Sequence, residues 1–479
     1  MPLILSGNVA SAVAGAYEVA NSCRFNDDDS AHMTKSSSAG VNDKGTLSVW
    51  IKRGNLGTDQ NIYNPYTSSN TLLHIYFASD NTLKLYVYDN GSTIANLVTD
   101  AEYRDCSAWL HIVLAIDSDQ GTAENRMKLY VNGTQVTSFS SSGYPDSGAD
   151  MQINNSGTTE VIGRYQDGTQ KYFDGYMAEF VWIDGTQYAA SDFGEFDEDS
   201  PTIWKPKDVS GLTFGTNGYY LDFEDSANLG NDANGGTDLT ENNLAATDQC
   251  TDTPTNNFAT LNPLMRSAGA TYAEGNTYYA YAGNWQKSTF ATFAPTAGKW
   301  YFEWRNEDDT AKEVAVSNST FALNGLVQLS EVNADTYTIR ESNHGVTWYT
   351  YNTAGKMIQN GSDIRTDVGQ LGNDDIGMFA FDCATGKIWT GKAGTWDNSG
   401  DPAGDSNPSA TWSTNFTVGE PTFFTFGSEG GNALQVNFGN PPFSISSGNS
   451  DANGYGNFEY AVPSGFLALC SKNLGSDGG

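Results

Sequence analysis

Three acidic residues, Glu195, Asp197 and Asp199, alternate along the chain and are candidates for acid–base chemistry. Because side chains at alternate positions of a β-strand share one face, their carboxylates would point the same way on a strand. Two carboxylates about 5–5.5 Å apart form the catalytic pair of retaining glycoside hydrolases. The segment runs directly into Ser200-Pro201 and lacks the apolar partners of a core strand. The pattern therefore favours an acidic surface loop.

No other nucleophile or base stands in a catalytic pattern. The four histidines, His32, His74, His111 and His344, form no Ser-His-Asp or metal-ligand motif in the sequence. Neither a phosphate-binding loop nor a dinucleotide fingerprint occurs. We therefore predict a protein that is not an enzyme, with a polysaccharide depolymerase that uses Glu195 and Asp197 as the enzymatic alternative.

Two aspartate clusters have the oxygen-rich composition that Ca²⁺ prefers. Asp27, Asp28 and Asp29 form the first, and Asp117 and Asp119 belong to the second. The second resembles the start of a calcium loop, but its glycine falls at the fifth position and no glutamate follows at the twelfth. Two interpretations stay open, one bound Ca²⁺ or solvated turns whose aspartates cap their own backbone. No other cofactor is predicted.

Aromatic residues in turn-rich segments are candidates for ligand binding, because their rings stack on sugars while nearby amides and carboxylates bind hydroxyl groups. These residues are Tyr165, Tyr172, Trp348, Tyr349, Tyr351 and Trp396. The alternative is ordinary core packing, for which sandwiches use aromatic rings heavily. Core packing is the prediction for Trp50, Trp109, Trp182, Trp300, Trp304 and Trp389.

The elements that position these residues are short strands. Apolar and polar residues alternate in segments 46–52, 82–88, 109–116 and 177–183, and this period of two predicts strands with one buried face. Asn-Gly pairs at 90–91 and 132–133 suit tight hairpin turns. Residues 219–223 are a candidate last strand of the first half.

The second half of the sequence also consists mainly of short predicted strands. Further strands are predicted at 299–305, 378–382, 387–390, 422–426 and 434–438. We predict an apolar N-terminal segment at 1–16, a first domain at 17–225, an acidic Asn/Gly-rich linker at 226–264, a second domain at 265–470 and a flexible tail at 471–479. Gly/Ser-rich tails fray readily.

Composition excludes several classes of protein. The 57 acidic and 24 basic residues give a formal net charge of 24 − 57 = −33, which has the wrong sign for phosphate neutralisation in nucleic-acid binding. Charged residues make up only 17% of the chain, too few for a long coiled coil. Aromatic residues make up 13%, which argues against disorder.

Targeting signals are weak. No apolar run is long enough to cross a membrane, and the start of the chain is a poor signal peptide. The five cysteines, Cys23, Cys106, Cys250, Cys383 and Cys470, form no CxxC pair. We expect buried, reduced thiols in a protein made in a bacterial cytoplasm.

The first half resembles LamG-type, concanavalin A-like jelly rolls. The segments that carry the resemblance, in chain order, are Cys23-Arg24-Phe25-Asn26, residues 46–52, Trp109-Leu110-His111-Ile112-Val113, residues 128–133 and Phe173-Asp174-Gly175-Tyr176 with its continuation to Phe180. The second half resembles a SPRY domain in residues 298–304, 381–389, Gly394-Thr395-Trp396, Val436-Asn437-Phe438-Gly439 and 463–470. Together the resemblances imply an all-β chain of two antiparallel β-sandwiches in tandem, a concanavalin A-like jelly roll and then a SPRY-like sandwich.

This pairing is similar to virion proteins of tailed bacteriophages, especially tail or head fibres. The resemblance implies a structural and adhesion protein of the virion that displays lectin-like modules to a host-surface glycan or protein. The expected partners are other virion proteins and further copies of the chain, with a trimer favoured and the apolar residues 1–16 as an assembly contact. Neither nucleic-acid binding nor membrane insertion is expected. A capsid decoration or purely structural fibre segment is the non-adhesive alternative.

Overall fold

Strands dominate the computed structural model of the chain. The structure describes residues 17–166, 168, 170–266, 269–282, 287–307, 321–328, 346–350, 355–359, 362–369, 371–413, 416–429 and 433–477. The chain divides into two compact units, of which the first ends at Thr255 and the second begins at Asn256. None of the helices in these residues is both long enough and apolar enough to span a membrane.

The first unit is built from short and medium strands with one α-helical turn, α1 (Ala123–Arg126), and two 3₁₀ turns, Ala190–Asp192 and Ala246–Asp248. In chain order the strands are β1 (Ser22–Phe25), β2 (His32–Ser36), β3 (Lys44–Arg53), β4 (Gln60–Tyr63), β5 (Tyr66–Ser68), β6 (Thr71–Phe77), β7 (Thr82–Asp89), β8 (Ser92–Glu102), β9 (Leu110–Asp117), β10 (Met127–Val131), β11 (Thr134–Gln135), β12 (Phe139–Gly143), β13 (Thr159–Ile162), β14 (Gly175–Asp184), β15 (Gly194–Phe196), β16 (Trp204–Pro206), β17 (Tyr219–Leu221), β18 (Thr240–Asn242) and β19 (Gln249–Cys250).

Two antiparallel sheets form the sandwich of the first unit. Sheet A has the order β11-β10-β9-β3-β14-β1-β19, and β17 pairs with β14. Sheet B has the order β12-β8-β7-β6-β4-β13-β2-β18, and β5 pairs with β13 and β6. The strands β15 and β16 form a separate hairpin. In both sheets, strands that are far apart in the sequence are neighbours, such as β3 and β14 in sheet A. Long-range pairing therefore holds each sheet together.

The core of the first unit lies between the inner faces of the two sheets. Leu47, Val49 and Ile51 of β3 alternate into it, and Leu114 of β9 pairs with Leu47. Truncation of such a buried leucine to alanine typically costs about 2–5 kcal/mol. The period of two in the sequence therefore identified the core-facing residues of these strands, but the prediction of a single buried face was wrong, because β3 and β9 are buried on both faces.

The turn between β10 and β11 shows why glycine stands at its second position. Asn132 and Gly133 have φ values of 46° and 74°, as a tight hairpin turn of the predicted kind requires. A Cβ atom on Gly133 would lie 2.4 Å from the ring of Trp204. Both the backbone conformation and the close approach of the indole therefore favour glycine.

The second unit is also a sandwich of strands, and its described residues include an α-helix, α2 (Ser471–Asp477), and a 3₁₀ turn, Asp397–Ser399. Its strands are β20 (Leu261–Arg266), β21 (Ala270–Ala273), β22 (Tyr278–Tyr281), β23 (Lys287–Ala291), β24 (Lys299–Glu307), β25 (Phe321–Gln328), β26 (Val346–Thr350), β27 (Gly355–Gln359), β28 (Ser362–Val368), β29 (Ile376–Asp382), β30 (Lys387–Lys392), β31 (Thr395–Trp396), β32 (Ala410–Thr411), β33 (Thr422–Glu429), β34 (Ala433–Asn437) and β35 (Leu467–Ala468).

Two sheets again form the layers. Sheet C has the order β20-β23-β33-β25-β26-β27-β28, and sheet D has the order β21-β22-β34-β24-β29-β30-β31, with β32 on β30 and β35 on β24. The described pairs are antiparallel except for β24 with β35. Phe302 packs at the centre of the core, with its ring 4.9 Å from that of Phe379 and 5.2 Å from that of Phe424. The predicted all-β fold of two antiparallel sandwiches in tandem is confirmed.

A buried carboxylate holds a long loop against the outer face of sheet D. Glu303 on β24 accepts hydrogen bonds from the backbone N–H groups of Glu459 at 2.9 Å and Tyr460 at 2.7 Å, and from the hydroxyl of Tyr301 at 2.8 Å. Burial raises the pKa of Glu303 to about 7. Glu303 therefore contributes two backbone contacts to the order of this loop, although no cationic side chain is among these hydrogen-bond donors.

The acidic segment 226–264 differs from the predicted linker. Its first part belongs to the first sandwich, because β18 pairs with β2 and β19 pairs with β1. Leu229 and Leu239 are buried in the core. Asp232 accepts hydrogen bonds from three backbone N–H groups, those of residues 220, 234 and 236. The carboxylate thus organises the turns, and the domain boundary lies at 255/256 rather than within a solvated linker.

The C-terminal segment also differs from the predicted fraying tail. Leu474 on α2 is buried in the core of the second unit. Asn473 donates hydrogen bonds to the carboxylate of Asp451 at 2.7 Å and to the carbonyl of Ala468 at 2.8 Å. These contacts order the segment that its Gly/Ser content marked as flexible.

Thiols and tryptophans behave as predicted. All five cysteines lie in the described residues, are buried and form no disulfide. The six tryptophans assigned to core packing are buried, the most exposed being Trp109 at 8%. These positions therefore stabilise the two sandwiches and present no ring to a ligand.

Candidate functional site

The outer face of sheet B carries a group of aromatic rings. In β6, Leu73, Ile75 and Phe77 alternate into the core, which directs His74 and Tyr76 outward. In β7, the same alternation buries the leucines and valine and directs Tyr86 and Tyr88 outward. Antiparallel pairing places His74 directly opposite Tyr86.

Five rings meet on this face, and we call them the tyrosine face. They are His74, Tyr76, Tyr86, Tyr88 and Tyr165, the last from the loop after β13. The ring centroids of His74 and Tyr76 are 4.8 Å apart with planes inclined by 14°, and those of Tyr86 and Tyr88 are 5.8 Å apart at 13°. Tyr165 lies 5.3 Å from His74. Tyr86, Tyr88 and Tyr165 keep part of their surface in contact with solvent.

His74 lies at the centre of the tyrosine face and is 5% exposed. Neither ring nitrogen has a hydrogen-bond partner. Burial, and to a smaller extent the positive charge of Lys171, lower the pKa of His74 to about 3. The imidazole is therefore neutral at physiological pH and acts as an aromatic ring among tyrosines.

Lys171 covers one side of the face. Its Nζ lies 4.4 Å from the centroid of Tyr76 and 5.2 Å from that of Tyr165, within the range of cation–π attraction. It also forms an ion pair with Asp59 at 3.2 Å. Lys171 thus fixes the positions of two rings while its charge is compensated by a neighbouring carboxylate.

Polar groups border the rings. Asn96 on β8 lies opposite Tyr86 and donates its amide to the hydroxyl of Ser141 at 2.9 Å. Gln166 donates to the carbonyl of Ser69 at 3.0 Å. Partly exposed rings beside amide and hydroxyl groups suit a ligand that has both apolar faces and hydroxyl groups, as a saccharide does.

Part of the first unit matches a model of a known protein family. Residues 26–189 match the family model described as the concanavalin A-like lectin/glucanases superfamily. The first unit is thus a concanavalin A-like jelly roll. No curated protein matches the chain.

Three solved structures are among those that the chain matches. One is a heptameric SAP-like pentraxin of Limulus polyphemus, which is 20% identical with a TM-score of 0.28. The match covers 36% of this chain and 80% of the pentraxin chain. The SPRY domain of human HERC1 is 12% identical, with coverages of 37% and 96% and a TM-score of 0.27. A Bacteroides ovatus protein, provisionally named as carbohydrate binding, is 16% identical, with coverages of 47% and 59% and a TM-score of 0.32.

The concanavalin A-like unit brings together only some of the aromatic residues predicted to bind a ligand. Tyr165 belongs to the tyrosine face, whereas Tyr172 packs near His32, with ring centroids 6.2 Å apart. The hydroxyl of Tyr172 donates to the carbonyl of Gly168 at 2.6 Å. Sequence reasoning missed His74, Tyr76, Tyr86 and Tyr88, although the alternation in 82–88 already set the two β7 tyrosines opposite the apolar residues.

The remaining predicted aromatic residues belong to the second unit. Trp396 is half-buried and packs edge-to-face against Tyr301, with centroids 6.3 Å apart. The backbones of Trp348 and Tyr349 lie in β26, but their side chains are outside the described part of the structure, and Tyr351 lies outside the described residues altogether. Their role in binding stays a prediction.

The two aspartate clusters of the concanavalin A-like unit make turn contacts. The carboxylate of Asp27 accepts hydrogen bonds from Asn55 at 3.3 Å, and that of Asp29 accepts one from Asn26 at 3.0 Å; the backbone N–H of Asp28 donates to Asn26. In the described residues, no three His, Cys, Asp or Glu side chains are grouped so that they could hold a metal ion.

At the second cluster, the ammonium group of Lys44 contacts both aspartates. Its Nζ lies 2.9 Å from a carboxylate oxygen of Asp119 and 3.6 Å from one of Asp117. Asp117 also accepts a hydrogen bond from the backbone N–H of Asp119 at 3.1 Å. These contacts are those of capped turns, and the Ca²⁺ interpretation stays a prediction.

The alternating acids at 195–199 do not share a strand face. β15 ends at Phe196, and Asp197 accepts hydrogen bonds from the backbone N–H groups of Asp199 at 3.0 Å and Ser200 at 2.9 Å. Lys205 lies 3.6 Å from both Glu195 and Asp197. Asp197 therefore caps a turn, in line with the acidic-loop interpretation of the sequence.

A polar cleft of about 320 Å³ lies in the second unit. Arg305, Lys392, Phe443 and Tyr460 are among its lining residues. Lys392 forms an ion pair with Asp375, which also lines the cleft. Opposite charges are thus mixed along its walls, and it offers a less defined chemistry than the tyrosine face.

Proposed function

We propose that the chain is a non-enzymatic adhesion protein of a tailed-bacteriophage virion, of the tail-fibre type, whose first unit binds a host-surface glycan through the tyrosine face. The observation that carries the glycan part is the cluster of five aromatic rings on the outer face of sheet B, three of which are partly exposed. The family model that matches this unit is named for lectins and glucanases. The phage assignment is supported by the resemblance of the LamG-like and SPRY-like pair of domains to virion proteins of tailed bacteriophages.

The tyrosine face combines apolar ring surfaces with hydroxyl and amide groups, and this combination suits a glycan. Partly exposed tyrosines offer apolar area together with hydroxyl groups, and they lose little conformational entropy on binding. Asn96, Ser141 and Gln166 border them with amide and hydroxyl groups. A saccharide presents C–H groups on its ring faces and hydroxyl groups at its edges, so both kinds of surface find a counterpart.

Many weak contacts would supply the strength of attachment. A homo-oligomer, with a trimer favoured, would present several tyrosine faces on one particle and raise avidity without any new contact. The proposed partners are other virion proteins and further copies of the chain, and the proposed location is the virion after synthesis in the bacterial cytoplasm. Residues 1–16, the proposed assembly contact, lie outside the described residues.

Binding is tested by applying the full-length protein to a microarray of bacterial surface polysaccharides. The variants Tyr86→Ala and Tyr88→Ala each remove a partly exposed ring, and we expect about tenfold weaker binding for each. Tyr130→Ala is the matched control, because Tyr130 packs half-buried beside the core cluster on the outer side of sheet A. Equal binding by wild type and both tyrosine-face variants would refute the proposed site.

Location is tested on purified particles of the phage that encodes the chain. Gold-labelled antibodies against the protein should mark tail or head fibres in electron micrographs. Labelling spread over the capsid surface would favour a decoration protein, and release of reducing ends from a bound polysaccharide would favour the depolymerase.

A further inference from the structure

The two lysines that flank the tyrosine face each have a carboxylate partner. Lys171, beside Tyr76 and Tyr165, forms its ion pair with Asp59 at 3.2 Å. Lys84 lies opposite Tyr76 in the sheet and forms a second ion pair with Asp80 at 3.0 Å. Both lysine charges beside the rings are thus compensated by neighbouring carboxylates.

The central ring contributes no charge either. Burial keeps the pKa of His74 near 3, so the imidazole is neutral throughout the physiological range. The hydroxyl of Tyr76 is likewise kept neutral, because burial and the neighbouring Asp59 raise its pKa. The tyrosine face is therefore an uncharged aromatic surface.

The rest of the chain has a strongly negative field, with a formal charge of −33. Such a field repels anions from every part of the surface that lacks an uncompensated cation. An acidic polysaccharide would have to give up hydration at the tyrosine face, where both lysines are already paired with carboxylates. A neutral polysaccharide has no such cost.

We infer that the tyrosine face selects uncharged glycans and discriminates against carboxylated ones through the pairing of Lys171 with Asp59 and of Lys84 with Asp80. The inference rests on the proposed function and specifies the substrate class of the same site. Binding should then depend only weakly on salt, because no net charge is neutralised in the complex.

The test compares each of three neutral polysaccharides, dextran, mannan and galactan, with its carboxymethylated derivative in affinity electrophoresis of the full-length protein. We expect wild type to bind at least one neutral form about tenfold or more tightly than the carboxymethylated form, with less than about a twofold change between low and high salt. Tyr86→Ala and Tyr88→Ala should weaken the neutral interaction.

Three charge variants separate the local pairs from the global charge. Asp59→Asn and Asp80→Asn each release one lysine, and we expect the preference for the neutral form to fall about threefold or more. Asp208→Asn changes the net charge equally but lies near Tyr17, where its charge affects the pKa of that tyrosine, and it should leave the preference unchanged.

Each outcome bears on a different statement. Tighter binding of the carboxymethylated form, or an equal effect of Asp208→Asn and Asp59→Asn, overturns the charge selection while the glycan function stands. Binding of neutral forms that is unaffected by the tyrosine variants overturns the site. No binding to any of the three neutral polysaccharides overturns the selection of neutral glycans, and the bacterial array then decides whether the glycan function falls as well.

Discussion

The indole Nε1 of Trp204 donates a hydrogen bond to Nδ1 of His111 over 2.9 Å, and this bond joins the β15–β16 hairpin to sheet A. An indole N–H can only donate, so Nδ1 is the acceptor and Nε2 carries the proton of the imidazole. That proton is directed to the hydroxyl of Ser48 at 2.8 Å. His111 also stacks on Trp50, with centroids 4.6 Å apart.

Acid should destabilise the first unit through His111. Burial lowers its pKa to about 3 in the folded state, against about 6.5 in the unfolded chain. The unfolded state therefore binds more protons below pH 6.5, and the free energy of unfolding falls as pH drops from 6.5 toward 3. At pH 5 the loss is about 2 kcal/mol for this histidine.

Hydrogen exchange of first-unit peptides in urea, at pH 7.5 and pH 5, measures this loss. His111→Gln keeps a polar group without the titration, so its stability should change less with pH than that of wild type. His74, whose pKa is also about 3, should contribute a similar and separate share. An unchanged pH dependence in His111→Gln would contradict the assignment.

Glu179 should have the opposite effect. It lies at a bulge of β14 with φ of 50° and accepts hydrogen bonds from the hydroxyl groups of Tyr17 and Tyr220, each at 2.9 Å. Burial raises its pKa to about 7, from about 4.3 in the unfolded chain. The folded state binds more protons in this range, so stability falls as pH rises from about 4.5 through 7.

Glu179→Gln removes that dependence while it keeps an oxygen acceptor for the tyrosines. We expect the variant to lose less stability than wild type between pH 5 and pH 8, in the same exchange measurement. Glu303→Gln serves as a control, because Glu303 belongs to the second unit and should leave first-unit peptides unchanged. A variant with the dependence of wild type would show that Glu179 is ionised throughout.

Glu303 itself should control the order of the loop around residues 459 and 460. Glu303→Ala removes the acceptor of two backbone N–H groups, and each unsatisfied buried group costs about 1–3 kcal/mol. Peptides that contain Glu459 and Tyr460 should then exchange faster than in wild type. Lys356→Ala, which breaks an ion pair with Asp363 between β27 and β28, should leave their exchange unchanged.

The tyrosine face shows what local pattern can and cannot predict. Alternation in 82–88 was enough to set Tyr86 and Tyr88 opposite the core, because the period of two is a local property of a strand. The register that brings His74 opposite Tyr86 depends on pairing between β6 and β7. The contact of Tyr165 with His74 depends on the loop after β13. Tyr165 was nevertheless the one ring of the five predicted to bind a ligand, because it lies in a turn-rich segment of the sequence.

The acidic segment shows the converse error. A stretch with many acids and few apolar residues resembles a solvated linker, yet two buried leucines, strand pairing and buried carboxylate contacts fix it in the first sandwich. Composition records how many charges a segment has. It does not record that Asp232 binds three amides or that Asp252 meets a lysine 200 positions earlier in the chain.

The pair formed by that aspartate and Lys52 should be essential for the first unit. Lys52 Nζ lies 2.6 Å from a carboxylate oxygen of Asp252, and both side chains are at most 1% exposed. The other oxygen of Asp252 accepts the indole N–H of Trp109 at 3.0 Å. Removal of one partner of a buried pair leaves an uncompensated charge and costs about 3–5 kcal/mol.

Lys52→Met should therefore lower the free energy of unfolding of the first unit by that amount, measured by urea unfolding with exchange as the unit-specific readout. The double variant Lys52→Met/Asp252→Asn should recover part of the loss, because the asparagine removes the stranded charge and still accepts the bond from Trp109. Lys84→Met breaks the more exposed pair with Asp80 and should cost less than about 1 kcal/mol. If Lys52→Met were as mild as Lys84→Met, segment 226–255 would not be held by this pair, and its place in the first sandwich would depend on β18, β19 and the two leucines alone.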